Sequence, residues 1–474
     1  MKQLMIGRNN ESEKLRDFLS TKKSEFIVVY GRRRVGKTFF IREIIGDDAC
    51  FSLTGMENAD MNDQLSNFYY TLRRYYTNAV QPKSWIEAFD LLKTYLESLP
   101  DGRKIVFIDE LPWLDTVRSK FVSALELFWN SWASGRDDIK LIVCGSSTSW
   151  MIDNIINNRG GLHNRKTHQI YLAPFTLGES VQYFKKYGFG YREKEVAECY
   201  MVMGGVAYYY SLMSPELSVS QNIDSLFFSE NGELKNEFDN LYRSLFKKAG
   251  DHITIVTALS NKNKGLTRKQ ILQQTKLNNN KKFTTTLSEL EKCGFIRDYT
   301  PFNGGKRDLV YQLTDAFTLF YFRFMSGNKY NDESYWSHSF NSPKYNSWSG
   351  YAFEMLCMNH IRQIKDALGI SGVQSNACSW IGKNNDEGKG AQIDLVIDRA
   401  DQTVNICEMK FSRTEYVISK ADYDDFENKV ESFISQTKTR KSLMFTLITS
   451  YGLKPNKYSG YVHKQITLKD LCGK

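Results

Sequence analysis

From the first residues to about position 175, short apolar runs alternate with segments whose apolar residues recur every three or four positions. The runs EFIVVY (25–30), CFSL (50–53), KIVFID (104–109) and KLIVCG (140–145) are nearly continuous in apolar side chains. That is the pattern of strands buried on both faces of a parallel sheet. Between them, Trp85, Ala88, Phe89, Leu92, Leu96 and Leu99 share one helical face, and Ser84 with Glu87 forms a capping-box pair at its start. An α/β core over 1–175 follows. Thr176 and Glu179 repeat the capping device, and 177–212 reads as helices, a lid that runs with its linker over 176–240.

Residues 213–240 are polar and read as a boundary. Over 241–325 the pattern predicts three helices and a hairpin. The helices fall at 252–259, LTRKQILQQT (266–275) and FTTTLSELEKCGFI (283–296), and Asn303-Gly304-Gly305 turns between YTPF and DLVYQL. A stretch rich in Ser, Asn, Tyr and Trp (326–349) reads as a linker. The last domain, 345–474, opens with a helix and continues with strands and helices. No internal repeat is present.

The 474 residues suggest about three domains at roughly 150 residues each. With 41% hydrophobic and 14% aromatic residues and only 8 Pro, a disordered or collagen-like chain is excluded. The net charge of +9 is unevenly placed: residues 241–330 hold 16 Lys and Arg against 6 Asp and Glu, and the rest hold 47 against 48. One module therefore carries the basic character and points to a polyanionic partner. The cysteines at 50, 144, 199, 293, 357, 378, 407 and 472 form no C-x-x-C pair, and the six histidines are dispersed. Neither a zinc site nor a disulfide framework is indicated. MKQLMIGRNNES lacks the apolar core of a signal peptide, and no apolar run approaches the roughly 20 residues that span a bilayer. A reduced cytoplasmic protein with no membrane partner is expected.

Strand 25–30 runs directly into GRRRVGKT, residues Gly31, Arg32, Arg33, Arg34, Val35, Gly36, Lys37 and Thr38. The strand–loop–helix context is what a phosphate-binding loop requires. The two glycines let the backbone wrap phosphates, and successive N–H groups form an anion nest at a helix N-terminus. ATP is the expected ligand, with Lys37 reaching the β- and γ-phosphates and Thr38 ligating Mg2+. The partner acids stand at the end of IVFIDE: Asp109 for the metal and Glu110 to polarise the attacking water. After LIVCG, Ser146 stands where a hydroxyl senses the γ-phosphate or positions the water, and a helix N-cap is an equal reading of Ser146-Ser147. Arg165 is a candidate to face the phosphate of its own or a neighbouring subunit, with Arg159 as its rival.

The order of Gly7-Arg8 with Glu11, GRRRVGKT, FIDELPWL, LIVCGSS, LHNRKT and GGVAYYY resembles the archaeal-type ATPase family, an AAA+/STAND-related group of P-loop ATPases. The resemblance covers residues 1 to about 215. Where that family often has Pro after Gly-Gly-x, this chain has Ala207, and Asn164 stands where a glycine often precedes the late arginine. The resemblance implies ATP hydrolysis with Mg2+, and homo-oligomers are common in the group.

Residues 241–325 resemble a winged helix-turn-helix, as the family implies. The third helix carries Lys281, Lys282 and Thr284 near its start, and Lys306 and Arg307 lie at the wing tip. Such residues contact DNA phosphates. The competing reading is that this module binds a protein partner or packs on the ATPase.

In QIDLVIDRADQTVNICEMKF (392–411), two apolar runs carry Asp394 on the first and Glu408 with Lys410 on the second. Strand residues two apart share a face, so Glu408 and Lys410 converge, and a turn around 398–403 sets Asp394 beside Glu408. Two carboxylates hold Mg2+, while a lysine orients water and stabilises phosphorane charge. The spacing resembles the PD-(D/E)XK nuclease superfamily, which implies an α/β restriction-endonuclease-like domain and a further acid on the opening helix, matched by Glu354. Three readings stay open: an active nuclease, a DNA clamp of the same fold without catalysis, and ordinary surface strands. The expectation is a P-loop ATPase switch whose basic module engages DNA and whose last domain cleaves or clamps it. The alternative is a regulatory ATPase with protein-binding C-terminal domains.

Overall fold

The computed structural model describes residues 5–157, 166–246, 248–305, 308–328, 332–382 and 391–473. Arg159, Arg165, Lys306 and Arg307 lie outside the described residues. The chain divides into two compact units, Met1–Pro174 and Phe175–Lys474.

The first unit is built on five strands: β1 (Glu25–Tyr30), β2 (Ala49–Thr54), β3 (Lys104–Asp109), β4 (Ile139–Gly145) and β5 (His168–Tyr171). All neighbours pair in parallel, in the order β2-β3-β4-β1-β5. Because β-strand side chains alternate, Val28, Val106 and Val143 face one apolar layer with Trp85, Phe89 and Leu92. Ile27, Phe107 and Ile142 face the other with Phe40 and Ile41. Helices thus cover both faces, which is why these strands read as continuous apolar runs. Two of the helices here have a capped start. Ser84 Oγ accepts from the Glu87 N–H ahead of Trp85–Ser98, and Asp60 closes a reciprocal box ahead of Met61–Arg73.

The second unit opens with Leu177–Lys186, where Thr176 and Glu179 form the box read from sequence. The first N–H of that helix, Leu177, donates to Nε2 of buried His360, whose Nδ1 donates to the Leu356 carbonyl. This fixes a neutral imidazole, and burial holds its pKa below the usual histidine value. A side chain at Gly178 would overlap the Cys472 carbonyl, so helix and C-terminus pack backbone to backbone. The helix that opens this unit therefore clusters with its C-terminal modules.

Two segments differ from the sequence reading. Residues 213–240 carry the helix Val219–Ile223, and Leu226, Phe227, Leu234 and Phe238 are buried there. Residues 326–349 are equally built in: Trp336, Tyr345 and Trp348 are buried against Phe320 and Phe324. Both stretches look like linkers because their few large side chains follow no helical or strand period.

Three helices, Gly250–Ser260, Arg268–Thr275 and Lys281–Lys292, pack with a small antiparallel sheet. Its strands are β6 (Leu266–Thr267), β7 (Ile296–Tyr299) and β8 (Val310–Leu313), in the order β6-β8-β7. The third helix ends at Lys292 and not at 296, because Gly294 takes a left-handed φ of 74° and the Phe295 N–H closes onto the Leu290 carbonyl. Residues 300–302 leave the hairpin: Phe302 donates its N–H to the Ser379 carbonyl and packs against the tilted ring of Phe433.

The last module opens with Pro343–Asn359, capped by Ser342 with Pro343 in the first turn. Its sheet holds β9 (Ser375–Ile381), β10 (Gln392–Arg399), β11 (Thr403–Lys410), β12 (Ser442–Thr449) and β13 (Lys464–Ile466), ordered β13-β12-β11-β10-β9. β9, β10 and β11 run antiparallel, while β12 and β13 join in parallel. The parallel step from β11 to β12 requires a crossover, supplied by the helix Lys420–Thr437.

Candidate functional site

At the carboxyl end of β1, the loop 31–36 turns sharply into the helix Lys37–Ile45. Gly31 has φ 153°, and a side chain there would overlap the Leu172 carbonyl, so only glycine fits. Arg34 and Gly36 are also left-handed, at φ 71° and 91°. The consequence is a loop whose backbone N–H groups stand ahead of a helix N-terminus, where the helix dipole favours an anion.

Lys37 is buried and donates its ammonium to the Arg32 carbonyl at 2.9 Å. Burial lowers its pKa, against the pull of Glu110 and Asp109. A buried ammonium satisfied by its own loop is poised to exchange that carbonyl for phosphate oxygens. Thr38 donates its hydroxyl to Asp109 at 2.8 Å. Hard oxygen donors so close together suit Mg2+. Arg33 pairs with Glu57 at 3.4 Å and lies 5.9 Å from the Trp113 ring; Arg32 and Val35 are buried.

Asp109 and Glu110 end β3, one strand beyond β4 from the loop. The Glu110 N–H donates to Asp109, and Glu110 itself has φ 48°, a strained left-handed conformation for a side-chain-bearing residue. That strain turns its carboxylate onto Ser146, whose N–H and hydroxyl donate to it at 3.0 and 2.8 Å. Ser147 occupies the cap position of the next helix without a side-chain cap bond. Sequence reasoning missed Cys144, whose thiol donates to Asp109. Burial raises that thiol's pKa and keeps it protonated, hence a donor. Its signal lay in the fourth-strand run LIVCG, one residue from the strand end.

In the C-terminal module, the pairing Leu395↔Cys407 places Asp394 opposite Glu408 on the neighbouring strand. A β-bulge between Ile393 and Val396 redirects β10 at Asp394. Glu354, from the helix Pro343–Asn359, interacts electrostatically with both Asp394 and Glu408. Burial first, then Asp394 and Glu408, pushes its carboxyl up to about 9, and burial with Glu408 raises Asp394 likewise. Glu408 itself is held by Lys410 and by Lys429, each at 2.9 Å. Lys429, from the crossover helix, was not singled out in the sequence. Its only signal was Asp425 four residues earlier, with which it also pairs. Glu354, Asp394, Glu408 and Lys410 are thus brought together. Among the described residues, however, no group of three His, Cys, Asp or Glu is arranged to hold a metal. Lys410 and Lys429 both stand beside Glu408.

Lys281, Lys282 and Thr284 are exposed at the start of the helix Lys281–Lys292, which Asn280 caps. Lys282 pairs with Asp251, and the Thr284 hydroxyl accepts from Arg268 at 2.9 Å. No helix among the described residues is long and apolar enough to cross a membrane.

Known proteins resemble this chain over different spans. An uncharacterized protein of Methanocaldococcus jannaschii is 23% identical over 467 residues, covering 94% of this chain and 99% of that protein. Among solved structures, a Walker-type ATPase of Pyrococcus abyssi is 18% identical with a TM-score of 0.47, covering 67% of this chain and 96% of its own. The Aeropyrum pernix ORC2 protein is 12% identical with a TM-score of 0.40, covering 67% and 93%. The sequence model of a family described as an ATPase domain predominantly from Archaea matches residues 5–212. Residues 5–212, with their phosphate loop and paired acids, are similar to an archaeal-type ATPase domain.

Proposed function

We propose that ATP hydrolysis at Lys37, Thr38, Asp109 and Glu110 switches a DNA-handling arm formed by the two C-terminal modules. In this reading 1–175 is the ATPase core, 176–240 its lid, 241–325 a winged helix and 345–474 a nuclease-like domain. Thr38 and Asp109 would hold Mg2+, which would supply positive charge to the phosphates, and Glu110 with Ser146 positions the attacking water. The exposed helix start with Lys281, Lys282 and Thr284 engages the DNA backbone. Arg165, Lys306 and Arg307 keep the roles expected of them from sequence.

The observation that carries the DNA-cutting part is the pairing of β10 with β11. It sets Asp394 beside Glu408, with Glu354 from the opening helix and Lys410 two residues along the same strand face. Carboxylates so crowded favour a divalent cation, and Lys410 supplies positive charge to a phosphodiester. Wild-type protein with Mg2+ is expected to nick supercoiled duplex DNA, and Glu408→Gln to lower the rate by roughly a hundredfold or more. Gel analysis of plasmid topology reads the outcome. Equal nicking by the two proteins sinks the assignment. No nicking in any nucleotide state favours the regulatory reading, in which these modules bind a protein, as the lysine-held Glu408 also allows.

A further inference from the structure

Glu354 and Asp394 are only partly exposed to solvent. A small cavity of 20 Å³ beside Glu354 and Asp394 is walled on its other side by Asn263, Lys264, Arg297, Tyr299 and Gln312. All five belong to the preceding basic module. The cavity has room for about one water and none for a phosphodiester.

The contacts that hold this wall are specific. Tyr351, three residues before Glu354 on the same helix, directs its hydroxyl at the Asn263 carbonyl, 3.0 Å away. Gln312 donates to that same carbonyl at 2.6 Å. Gln312 in turn accepts two bonds from Arg297, at 2.8 and 2.6 Å. At the far side Phe302 bonds the Ser379 carbonyl of β9 and inserts among the buried apolar residues of the sheet.

The charges match as well. Arg297 and Lys264, both from the wall, act electrostatically on Asp394. Lys410 and Lys429, from the sheet and its crossover helix, act on Glu354, and both pair with Glu408. Four cations thus meet three carboxylates.

We propose that the hairpin β7–β8, with Asn263 and Lys264, is a built-in cover that keeps the Glu354–Asp394–Glu408 cluster shut until the basic module swings away. This rests on the reading of that cluster as a metal-dependent site. Opening withdraws Arg297 and Lys264, leaves Asp394 and Glu354 short of positive charge, and admits both cation and phosphodiester. Engagement of DNA by the basic module and exposure of the carboxylates then become one event.

The test compares full-length wild type with Phe302→Ala and with the milder Tyr351→Phe, which removes only the bridging hydroxyl. Three readouts are taken: amide exchange of 263–264 and β7–β8, Mn2+ binding by calorimetry, and plasmid nicking. The expected result is faster exchange in the hairpin together with a gain in Mn2+ affinity of at least tenfold for either variant. Nicking should rise in parallel. Faster exchange and tighter Mn2+ without any nicking in any protein upholds the cover and removes the nuclease reading. Faster exchange with Mn2+ affinity unchanged or weaker overturns the cover. If Phe302→Ala does not fold, Tyr351→Phe decides alone by the same criteria.

Discussion

Lys37→Ala is expected to lower ATP turnover by roughly 10²–10³-fold, about 3–4 kcal/mol of transition-state stabilisation. The size follows from where the ammonium sits. It is buried, its pKa is depressed by that burial, and it donates a hydrogen bond to the Arg32 carbonyl of its own loop. A charge held in a poorly solvated place acts on phosphate oxygens with little screening. Alanine keeps Gly31, Arg34 and Gly36, which adopt the left-handed backbone of the loop. The fold should therefore survive, and circular dichroism should match wild type while phosphate release falls to background. Turnover at the wild-type rate would contradict the assignment of this loop.

The largest stability effect is expected at a position that the chain's composition disguises. Trp336 lies in a segment rich in Ser, Asn and Tyr, yet it is 2% exposed. Its ring centroid lies 5.0 Å from Phe324, 5.2 Å from Trp348 and 5.4 Å from both Phe320 and Tyr345. The Trp336 N–H also donates to the buried carboxylate of Asp224. Trp336→Ala removes the centre of this cluster and leaves a cavity, at a cost of about 3–5 kcal/mol. Denaturant unfolding should show that loss in the transition of the second unit, with the ATPase unit unmoved. A change under 1 kcal/mol would mean the segment is the linker its composition suggests.

These two positions mark where the sequence was legible and where it was not. The strands of the first unit announce themselves because a parallel sheet is apolar on both sides, and each of the four predicted runs lies within a strand. The phosphate loop is legible because its backbone demands glycine at Gly31 and Gly36. The proximity of Asp394 and Glu408 is legible because strand period and a short turn are local properties. What stayed hidden is long-range. Nothing in YTPF says that Phe302 leaves its hairpin to join the core around Phe433. Arg297 and Lys264 read as ordinary members of a basic surface, although the fold turns them onto Asp394. Trp336 and Trp348 lack periodicity because they fill gaps between elements and lie on no regular face. Cys144 and Lys429 were overlooked because each acts through a partner more than 20 positions away.

The central claim is that the paired acids after β3 make the loop a hydrolytic site and not merely a nucleotide holder. Glu110 is the discriminating residue, since its carboxylate accepts from the Ser146 N–H and hydroxyl and its backbone is left-handed. The direct measurement is ATP binding and steady-state hydrolysis on the same preparations of wild type and Glu110→Gln, with Mg2+ present. The account predicts equal ATP affinity and hydrolysis slower by about a hundredfold or more in the variant. Equal hydrolysis by the two proteins would contradict it.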